Sequence, residues 1–417
     1  MTADRRRKLA HFPFLMGRPM KVIPFLFAAL LATFSMPAFA QTPLKLGLLL
    51  DMAGPYADIG GQGTLTATRM AVDDFGGSVL GRPIEVVFAD HQNKVDLAAS
   101  LARQWFDEQG VETILDVAGS SAALAVNEVA KQRNKILVIN ASAVMRLTNE
   151  ECAPYTVHYV YDTTSLANGT AKTMVSQGGK TWFFLTADYA FGTQLQEAAT
   201  KVVEANGGKV IGAVRVPLST SDFSSYLLQA QNSGAQVLGL ANAGNDFTNS
   251  IKAADEFGIA STMKPAALLA FISDIHSLGL KTAQGLYLTT GWYWDLNDKT
   301  RAFAKRYFEK TKREPTMNQA GYYSATMTYL NAVKAAGTTE PDKVMAELHK
   351  VKIDDMFTDN GRIRADGLME HEMYIMQVKK PEESKYPWDY YRLVQTMSGE
   401  EAFGKLADSA CPLAATH

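Results

Sequence analysis

Residues 44–89 read LKLGLLLDMAGPYADIGGQGTLTATRMAVDDFGGSVLGRPIEVVFA and contain a strand, a helix and a second strand in succession. Leu44–Leu50 is a short apolar run, residues 61–75 carry apolar side chains at helical spacing, and residues 84–89 are apolar again. Short apolar runs that alternate with helices of about ten to fifteen residues are typical of βαβ units. The strands of such units pair in parallel, and helices cover both faces of the sheet. The stretch therefore predicts an open parallel sheet.

The same alternation runs twice along the chain, first to residue 139 and again after Tyr161. The further predicted helices are at about 97–109, 122–133, 166–177, 194–206, 226–232, 247–257, 300–312, 320–336 and 342–350. The further predicted strands are at 113–117, 136–139, 181–186, 209–216, 237–240, 286–290 and 374–379. We expect the strand at 286–290 to be the last of the second parallel series.

Two successive series predict an α/β protein of two Rossmann-like lobes, each built on an open parallel sheet. The chain has 417 residues, and single cores stop growing at about 250 to 300 residues. The pattern pauses at Tyr161 and again at Trp292. We therefore predict a first lobe of residues 41–161 and 293–372, and a second lobe of residues 162–292 and 373–417.

The first 40 residues have the pattern of a signal peptide rather than of a folded segment. Lys21 precedes an apolar run at 22–34, and residues 38–40 (AFA) form a small-x-small cleavage site. Met20 could be the true start of this signal. The alternative is a membrane anchor, but the run is shorter than the roughly 20 residues that span a bilayer. We expect cleavage before Gln41 and export to the periplasm.

The composition is that of an ordinary globular protein, with a net charge of -2 and 47% hydrophobic residues. It lacks the basic excess that nucleic acid requires, so no nucleic-acid partner is expected. Cys152 and Cys411 are the two cysteines. In an exported protein they are expected to form one disulfide, the alternative being two unpaired thiols. A zinc site is poorly supported, because neither cysteine has a neighbouring Cys or His at ligand spacing.

Catalytic motifs are scarce in this sequence. Residues 60–63 (GGQG) follow a strand but lack the third Gly of a dinucleotide loop and the Lys of a Walker loop. We expect no enzyme activity, no cofactor and no metal. The alternative from another class is an exported amidase or esterase, for which Ser120 would be the nucleophile and His91 the nearest candidate base.

Polar clusters of small residues stand where two neighbouring strands end, at 119–122 (GSSA) and 140–143 (NASA). In open α/β sheets ligands bind beyond the carboxyl ends of the strands, where a helix N-terminus offers free N–H groups to an anion. The two clusters therefore predict a carboxylate site. The alternative is that Ser120 and Ser121 only cap a helix.

The matching loops of the second series are rich in aromatic side chains, at 188–192 (DYAFG), 243–246 (AGND) and 269–271 (LAF). Such loops can bury a ring or an aliphatic body while a few polar groups orient it, although each aromatic could also belong to the core. The predicted ligand contacts are Tyr56, Ile59, Ser120, Ser121, Ala141, Ser142, Ala143, Tyr189, Phe191, Asn245, Asp246 and Phe271.

The chain resembles the type I periplasmic binding proteins of the leucine/isoleucine/valine-binding kind. The resemblance runs over the chain from residue 44 onward and rests on 44–47 (LKLG), 54–55 (GP), 119–121 (GSS), 188–192 (DYAFG) and 221–223 (SDF). It implies two Rossmann-like lobes joined by three crossovers, with hinge closure on a ligand in the cleft. It also implies that Ser120 and the backbone of 141–143 hold a carboxylate, and that Phe191 replaces the family's tyrosine over the ligand side chain.

One departure from the amino-acid binders concerns residues 268–271 (LLAF), which are apolar where the family has an acidic residue for the ligand ammonium. A buried ammonium without a carboxylate would cost several kcal/mol, so we expect a ligand without an amino group. Residues 161–163, 166–170, 182–186 and 291–295 resemble a branch that binds aromatic acids such as benzoate or cinnamate derivatives. Asp246 could accept a ring hydroxyl, bind an ammonium or cap the following helix.

These features predict the ligand-binding component of an ABC importer, with a small carboxylate as ligand and a membrane permease as partner. A branched-chain or other amino acid is the alternative ligand, and a sensory partner of a membrane receptor is the alternative role. We expect a monomer.

Overall fold

The computed structural model describes residues 41–416. The predicted signal peptide at residues 1–40, with the alternative start at Met20, lies outside the described residues. Among residues 41–416, no helix is both long and apolar enough to span a membrane.

A six-stranded sheet in the order β2-β3-β1-β4-β5-β6 organises the first part of the chain. All its neighbouring strands pair in parallel except β2, which pairs antiparallel with β3. Leu46, Leu48 and Leu50 are fully buried, as expected for a strand covered on both faces. The elements are β1 Leu44–Leu50, α1 Ala57–Gly60, α2 Gln62–Phe75, β2 Ser78–Val79, β3 Arg82–Asp90, α3 Val95–Asp107, β4 Val111–Val117, α4 Ser120–Gln132, β5 Ile136–Ile139 and β6 Thr156–His158.

A four-stranded parallel sheet in the order β10-β9-β7-β8 organises the second part. Trp182 and Phe184 are fully buried on β7, one of the two central strands of this sheet. The elements are α5 Thr163–Ser176, β7 Thr181–Ala187, α6 Ala190–Ala205, β8 Lys209–Val216, α7 Ser224–Asn232, β9 Val237–Ala241, α8 Gly244–Glu256, β10 Lys264–Ala267, α9 Ile272–Leu278, α10 Leu280–Ala283 and β11 Tyr287–Thr290.

The rest of the chain contributes to both sheets. Helix α12 packs against α2 and α13 packs against α12, so this helical part returns to the first sheet. The strands that follow lead back to the second part of the molecule, where β14 pairs with β11. The elements are α11 Asp298–Thr311, α12 Met317–Ala336, α13 Pro341–Lys350, β12 Arg362–Ile363, β13 Met369–Glu370, β14 Met373–Val378, β15 Tyr391–Met397 and α14 Gly399–Phe403.

The strand predicted at 286–290 was expected to end the second parallel series, but it pairs antiparallel instead. This strand, β11, runs antiparallel to β14, and β14 runs antiparallel to β15. The three form a separate sheet in the order β11-β14-β15. The reason is that β14 enters the second lobe from the last crossover and runs in the opposite direction.

The chain passes between the two lobes after β6, after β11 and before β14, and these three crossovers meet. His371 Nε2 lies 2.8 Å from the carbonyl oxygen of Val160. A Cβ on Gly291 would lie 3.0 Å from the ring of His371 and 3.3 Å from the same oxygen. The predicted fold, two Rossmann-like lobes joined by three crossovers, is confirmed; the exact lobe boundaries stay a prediction.

The predicted disulfide is confirmed. Cys152 and Cys411 are bonded, with their Cα atoms 5.7 Å apart. The C-terminal tail also makes two hydrogen bonds beside this bond. Ser409 Oγ donates to the carbonyl oxygen of Thr148 at 2.8 Å, and the N–H of Ala410 donates to Asn149 Oδ1 at 3.0 Å. The tail that follows β15 is thus fastened to the first lobe.

Candidate ligand-binding site

A pocket lies where the carboxyl ends of the two parallel sheets face each other. Its empty volume is about 320 Å³, including its opening to solvent. Its walls come from the loops after β1, β4 and β5 on one side and after β7, β9 and β10 on the other. The lining residues are Tyr56, Ile59, Gly119, Ser120, Ala141, Ala143, Tyr189, Phe191, Ala243 and Leu269. This is where open α/β sheets bind ligands.

Ser120 begins helix α4 and lines the pocket. The helix N-cap is Gly119, whose φ of 90° is a left-handed conformation, and no side chain caps the helix. The alternative role of Ser120 and Ser121 as caps is therefore wrong. Ser142 Oγ donates to Ser120 Oγ at 3.1 Å, which leaves the hydroxyl hydrogen of Ser120 available. Together with the free N–H groups of the first turn of α4, it can hold an anion.

The loop after β5 offers a different backbone group from the one its sequence suggests. The N–H of Ala141 donates to Asp116 Oδ1 at 3.0 Å, and the Ala141 carbonyl accepts the hydroxyl of Tyr161 at 2.8 Å. Both polar groups of Ala141 are thus already bonded. Within residues 41–416 the N–H of Ala143 has no hydrogen-bond partner, so this N–H is the one that a ligand can reach.

Asp116 holds that loop in place from the neighbouring strand β4. Besides Ala141, it accepts the N–H of Asn140 at 2.7 Å and a hydrogen bond from the hydroxyl of Tyr322. Burial raises the pKa of Asp116 to about 6, against the opposing effect of these donors. The result is a rigid strand end that positions the N–H of Ala143.

Three aromatic residues also line the pocket: Tyr56, Tyr189 and Phe191. The hydroxyl of Tyr56 is hydrogen-bonded to that of Tyr189, which joins the two sides of the pocket. The ring of Tyr189 lies with its centroid 5.9 Å from that of Phe191. Asp51 Oδ2 accepts the N–H of Tyr56 at 2.9 Å and fixes its position. Burial is the main cause that raises the pKa of both tyrosines, so both hydroxyls are neutral at physiological pH.

Five predicted contacts do not line this pocket. Ser121 is half-buried on α4, Ser142 is buried behind Ser120, and Asn245 is exposed. Phe271 is buried, and its N–H donates to Asp274 Oδ2 at 2.8 Å. Asp246 is also buried, on the first turn of α8.

Three lining residues were not among the predicted contacts: Gly119, Ala243 and Leu269. Each stands in a strand-end loop that the sequence did single out, directly beside or within a few residues of a predicted contact. They offer only small or apolar groups, and the strand-end rule was the only signal that could have identified them.

A hydrolytic arrangement does not form around Ser120. Its hydroxyl contacts that of Ser142, whereas neither buried ring nitrogen of His91 has a hydrogen-bond partner among residues 41–416. Burial lowers the pKa of His91. A serine nucleophile needs a base within hydrogen-bond reach, and His91 does not provide one.

Comparisons with known proteins agree with this architecture. The family model described as a periplasmic binding protein matches residues 43–385. A solved periplasmic binding protein from Burkholderia mallei is 58% identical, with a TM-score of 0.88 over 89% of this chain and 99% of that one. A branched-chain amino acid ABC transporter ligand-binding protein from Burkholderia xenovorans is 42% identical, with a TM-score of 0.80 over 89% and 100% of the two chains.

More distant relatives cover the chain equally well. A Leu/Ile/Val-binding protein homologue from Brucella melitensis is 25% identical over 88% of this chain and 95% of that protein. A solute-binding protein from R. palustris, solved with 4-hydroxybenzoate, is 22% identical and has a TM-score of 0.77 over 85% and 97% of the two chains. The latter likeness shows the fold alone.

Proposed function

This chain belongs to the periplasmic binding protein family, and we propose that it captures an aromatic carboxylate, such as a benzoate or a cinnamate derivative, for an ABC importer. Its relatives bind solutes and are not enzymes, so the amidase or esterase alternative is wrong. The function is reversible binding, in which the ligand acts through its higher affinity for the closed form.

The observation that carries the proposal is that polar donors and aromatic rings line the same pocket. Ser120, the N–H of Ala143 and the start of α4 supply neutral donors. Tyr56, Tyr189 and Phe191 supply rings. Neutral donors at a helix N-terminus suit a carboxylate, and flat apolar walls suit a ring.

The two sides of the pocket touch, as a closed cleft requires. The N–H of Asn245 donates to the carbonyl oxygen of Pro55 at 3.3 Å, and the hydroxyls of Tyr56 and Tyr189 are bonded to each other. A ligand that lies between them would hold the lobes together. On this proposal the closing bodies are residues 41–161 with 293–372 and residues 162–292 with 373–417, except that the tail around Cys411 moves with the first body because it is bonded to Cys152.

The export and partner assignments belong to the same proposal. A signal peptide cleaved before Gln41 would deliver a monomer to the periplasm, where it would pass its ligand to a membrane permease.

A branched-chain amino acid is the second candidate ligand, and two observations favour it. The relative from Burkholderia xenovorans carries that designation, and Asp246 is a buried carboxyl near the pocket that could receive an ammonium. Against it, the lining residues contain no carboxylate. We therefore place the aromatic acids first.

The first test is a thermal-shift screen of residues 41–417 against aromatic carboxylates and, separately, branched-chain and aromatic amino acids. A ligand at about a hundred times its dissociation constant adds about 2.7 kcal/mol of stability, which is easily detected. Ser120→Ala should weaken binding of the stabilising acid by about tenfold, because one hydrogen bond to a charged group is lost. Ser121→Ala is the matched control, since Ser121 stands beside Ser120 but does not line the pocket.

Stabilisation by amino acids alone would overturn the ligand class and leave the binding-protein assignment intact. An equal loss of affinity in both serine variants would show that the start of α4 is not the carboxylate end of the site.

A further inference from the structure

Three successive carbonyl groups of the loop after β5 are hydrogen-bonded to the end of β6 and the crossover that follows it. This loop carries the N–H of Ala143, which the proposed function assigns to the ligand carboxylate. The segment that leads to the second lobe therefore holds the loop in place. The three bonds run from His158 Nε2 to the carbonyl oxygen of Ser142 at 2.7 Å, from the hydroxyl of Tyr161 to that of Ala141 at 2.8 Å, and from the N–H of Thr163 to that of Ala143 at 2.8 Å.

His158 makes the middle one of these bonds, and its own surroundings fix it in place. It is the last residue of β6 and is fully buried. Its backbone N–H donates to the carbonyl oxygen of Gly367 at 2.9 Å. Burial lowers the pKa of His158 to about 4, so the ring is neutral at physiological pH and carries one hydrogen. Because a carbonyl oxygen can only accept, that hydrogen is on Nε2 and is donated to Ser142.

The bond to Ser142 also determines where the next N–H points. The carbonyl of Ser142 and the N–H of Ala143 belong to the same peptide unit. Such a unit is planar and trans, so its N–H points opposite to its carbonyl. A donor that fixes the carbonyl therefore fixes the direction of the N–H. A hydrogen bond accepted by the carbonyl also polarises the unit and makes its N–H a stronger donor.

We propose that His158 is a positioning residue for ligand binding, whose imidazole orients the Ser142–Ala143 peptide so that the Ala143 N–H donates to the ligand carboxylate. Ala143 lines the pocket, and its N–H has no hydrogen-bond partner among residues 41–416. His158 is not among the lining residues and acts through the peptide alone. The inference rests on the proposed function only for the carboxylate, which an aromatic acid and an amino acid share.

The test is calorimetric titration at about pH 7.5 with benzoate, cinnamate and leucine, read on each ligand that the native protein binds. His158→Leu removes the donor and should weaken binding by about tenfold, because a hydrogen bond to a charged group is lost. His158→Gln keeps an N–H near the position of Nε2 and should bind within about threefold of the native protein. Both variants replace a buried ring and should unfold at a lower denaturant concentration, so stability falls in both while affinity falls in one.

Thr113→Val is the matched control. Thr113 is buried on β4, and its Oγ1 donates to the carbonyl oxygen of Ile136 at 2.7 Å. It is thus a second buried side-chain donor to a carbonyl in the first sheet, but at the start of β5 rather than beyond its end. Its loss should lower the unfolding midpoint and leave affinity unchanged. Should His158→Leu fail to fold, His158→Asn replaces it, because its shorter amide stays polar but does not extend to the position of Nε2.

The outcomes separate the two proposals. If leucine binds and neither aromatic acid does, the proposed ligand class fails, and the variants still test His158 on leucine. If an aromatic acid binds but His158→Leu keeps its affinity, or His158→Gln loses as much as His158→Leu, only the role of His158 is overturned. An equal loss in Thr113→Val would overturn that role as well, since any weakened carbonyl bond in the sheet would then suffice. Binding of none of the three ligands would overturn both proposals.

Discussion

Asp274 is a buried carboxyl group at the start of α9, and it makes the stability of the protein depend on pH. The side chain is 5% exposed, and its Oδ2 accepts the N–H of Phe271 at 2.8 Å. Burial, with a smaller repulsion from Asp58, raises the pKa of Asp274 to about 7, and Arg313 opposes the shift. Because the folded-state pKa is above the usual value, Asp274 contributes stability at low pH that is lost as the pH rises through 7.

Asp274→Asn should remove this dependence, since an amide stays neutral and its oxygen can still accept from Phe271. As the pH rises from about 4 to about 8, the free energy of unfolding of the native protein should fall relative to that of the variant by up to about 4 kcal/mol. Denaturant titrations at each pH measure this difference. In Asp107→Asn the gap to the native protein should stay nearly constant over this range, because the bond to Arg133 lowers the pKa of Asp107 and its titration falls below about pH 4. A gap between Asp274→Asn and the native protein that does not vary with pH would contradict the assignment.

At the residue scale, the sequence predicted that Ser120 lines the site, but it did not predict that the N–H of Ala141 is already hydrogen-bonded. Ser120 could be predicted because the apolar run of β4 shows where the strand ends, and ligands bind there in open sheets. The N–H of Ala141 is bonded to Asp116, which is 25 residues earlier in the chain. No local pattern reveals that such a side chain reaches across to the next strand.

At the scale of the element, the start of helix α6 places two aromatic walls of the pocket. Tyr189 is its N-cap and Phe191 lies in its first turn, followed by Gly192. A Cβ on Gly192 would lie 2.1 Å from the carbonyl oxygen of Ala187, a backbone atom that cannot move aside cheaply. The close approach of α6 to the end of β7 thus depends on glycine at this position.

Gly192→Ala should shift the start of α6, destabilise the protein by about 1 to 3 kcal/mol and weaken ligand binding. Gly207→Ala tests the other end of the same helix, where φ is 77° and no atom lies within 4 Å of the added Cβ. It should cost about 1 kcal/mol of stability and leave affinity unchanged. Denaturation and ligand titration of both variants give the comparison; unaltered binding in Gly192→Ala would mean that α6 does not shape the pocket.

Elements with a strong apolar pattern were predictable, and those without one were missed. The run at β1 and the run at β7 match their predicted strands closely. β10 was missed because it has four residues, Lys264–Ala267, one of which is a proline. β15 was missed because its five central residues are all exposed, so it shows neither an apolar run nor an alternation. Pairing with neighbours, rather than local sequence, makes these two segments strands.

At the scale of the whole molecule, the disulfide adds a covalent link to the three crossovers. The chain last crosses to the second lobe before β14, and α14 packs there against α5. The tail then returns to the first lobe, where Cys411 is bonded to Cys152. The repeat of strand and helix predicted the two lobes, and the cysteine count predicted the bond. The predicted bond also placed the end of the tail beside the first lobe, whereas the hydrogen bonds of Ser409 and Ala410 to that lobe had no local signal.

Replacing both cysteines with serine should destabilise the protein mainly through the unfolded chain, which loses a cross-link between residues 259 positions apart. The chain-entropy model puts the loss at about 5.6 kcal/mol as an upper bound. The folded state should change little, since the tail keeps its hydrogen bonds to Thr148 and Asn149.

Denaturant unfolding should show a lower midpoint for the double variant, and adding a reductant to the native protein should reproduce that shift. If reduction lowered the midpoint while the double serine variant did not, the effect would come from the reductant and not from the tether. An unchanged midpoint in both would mean that the unfolded chain is already compact enough for the cross-link to constrain nothing.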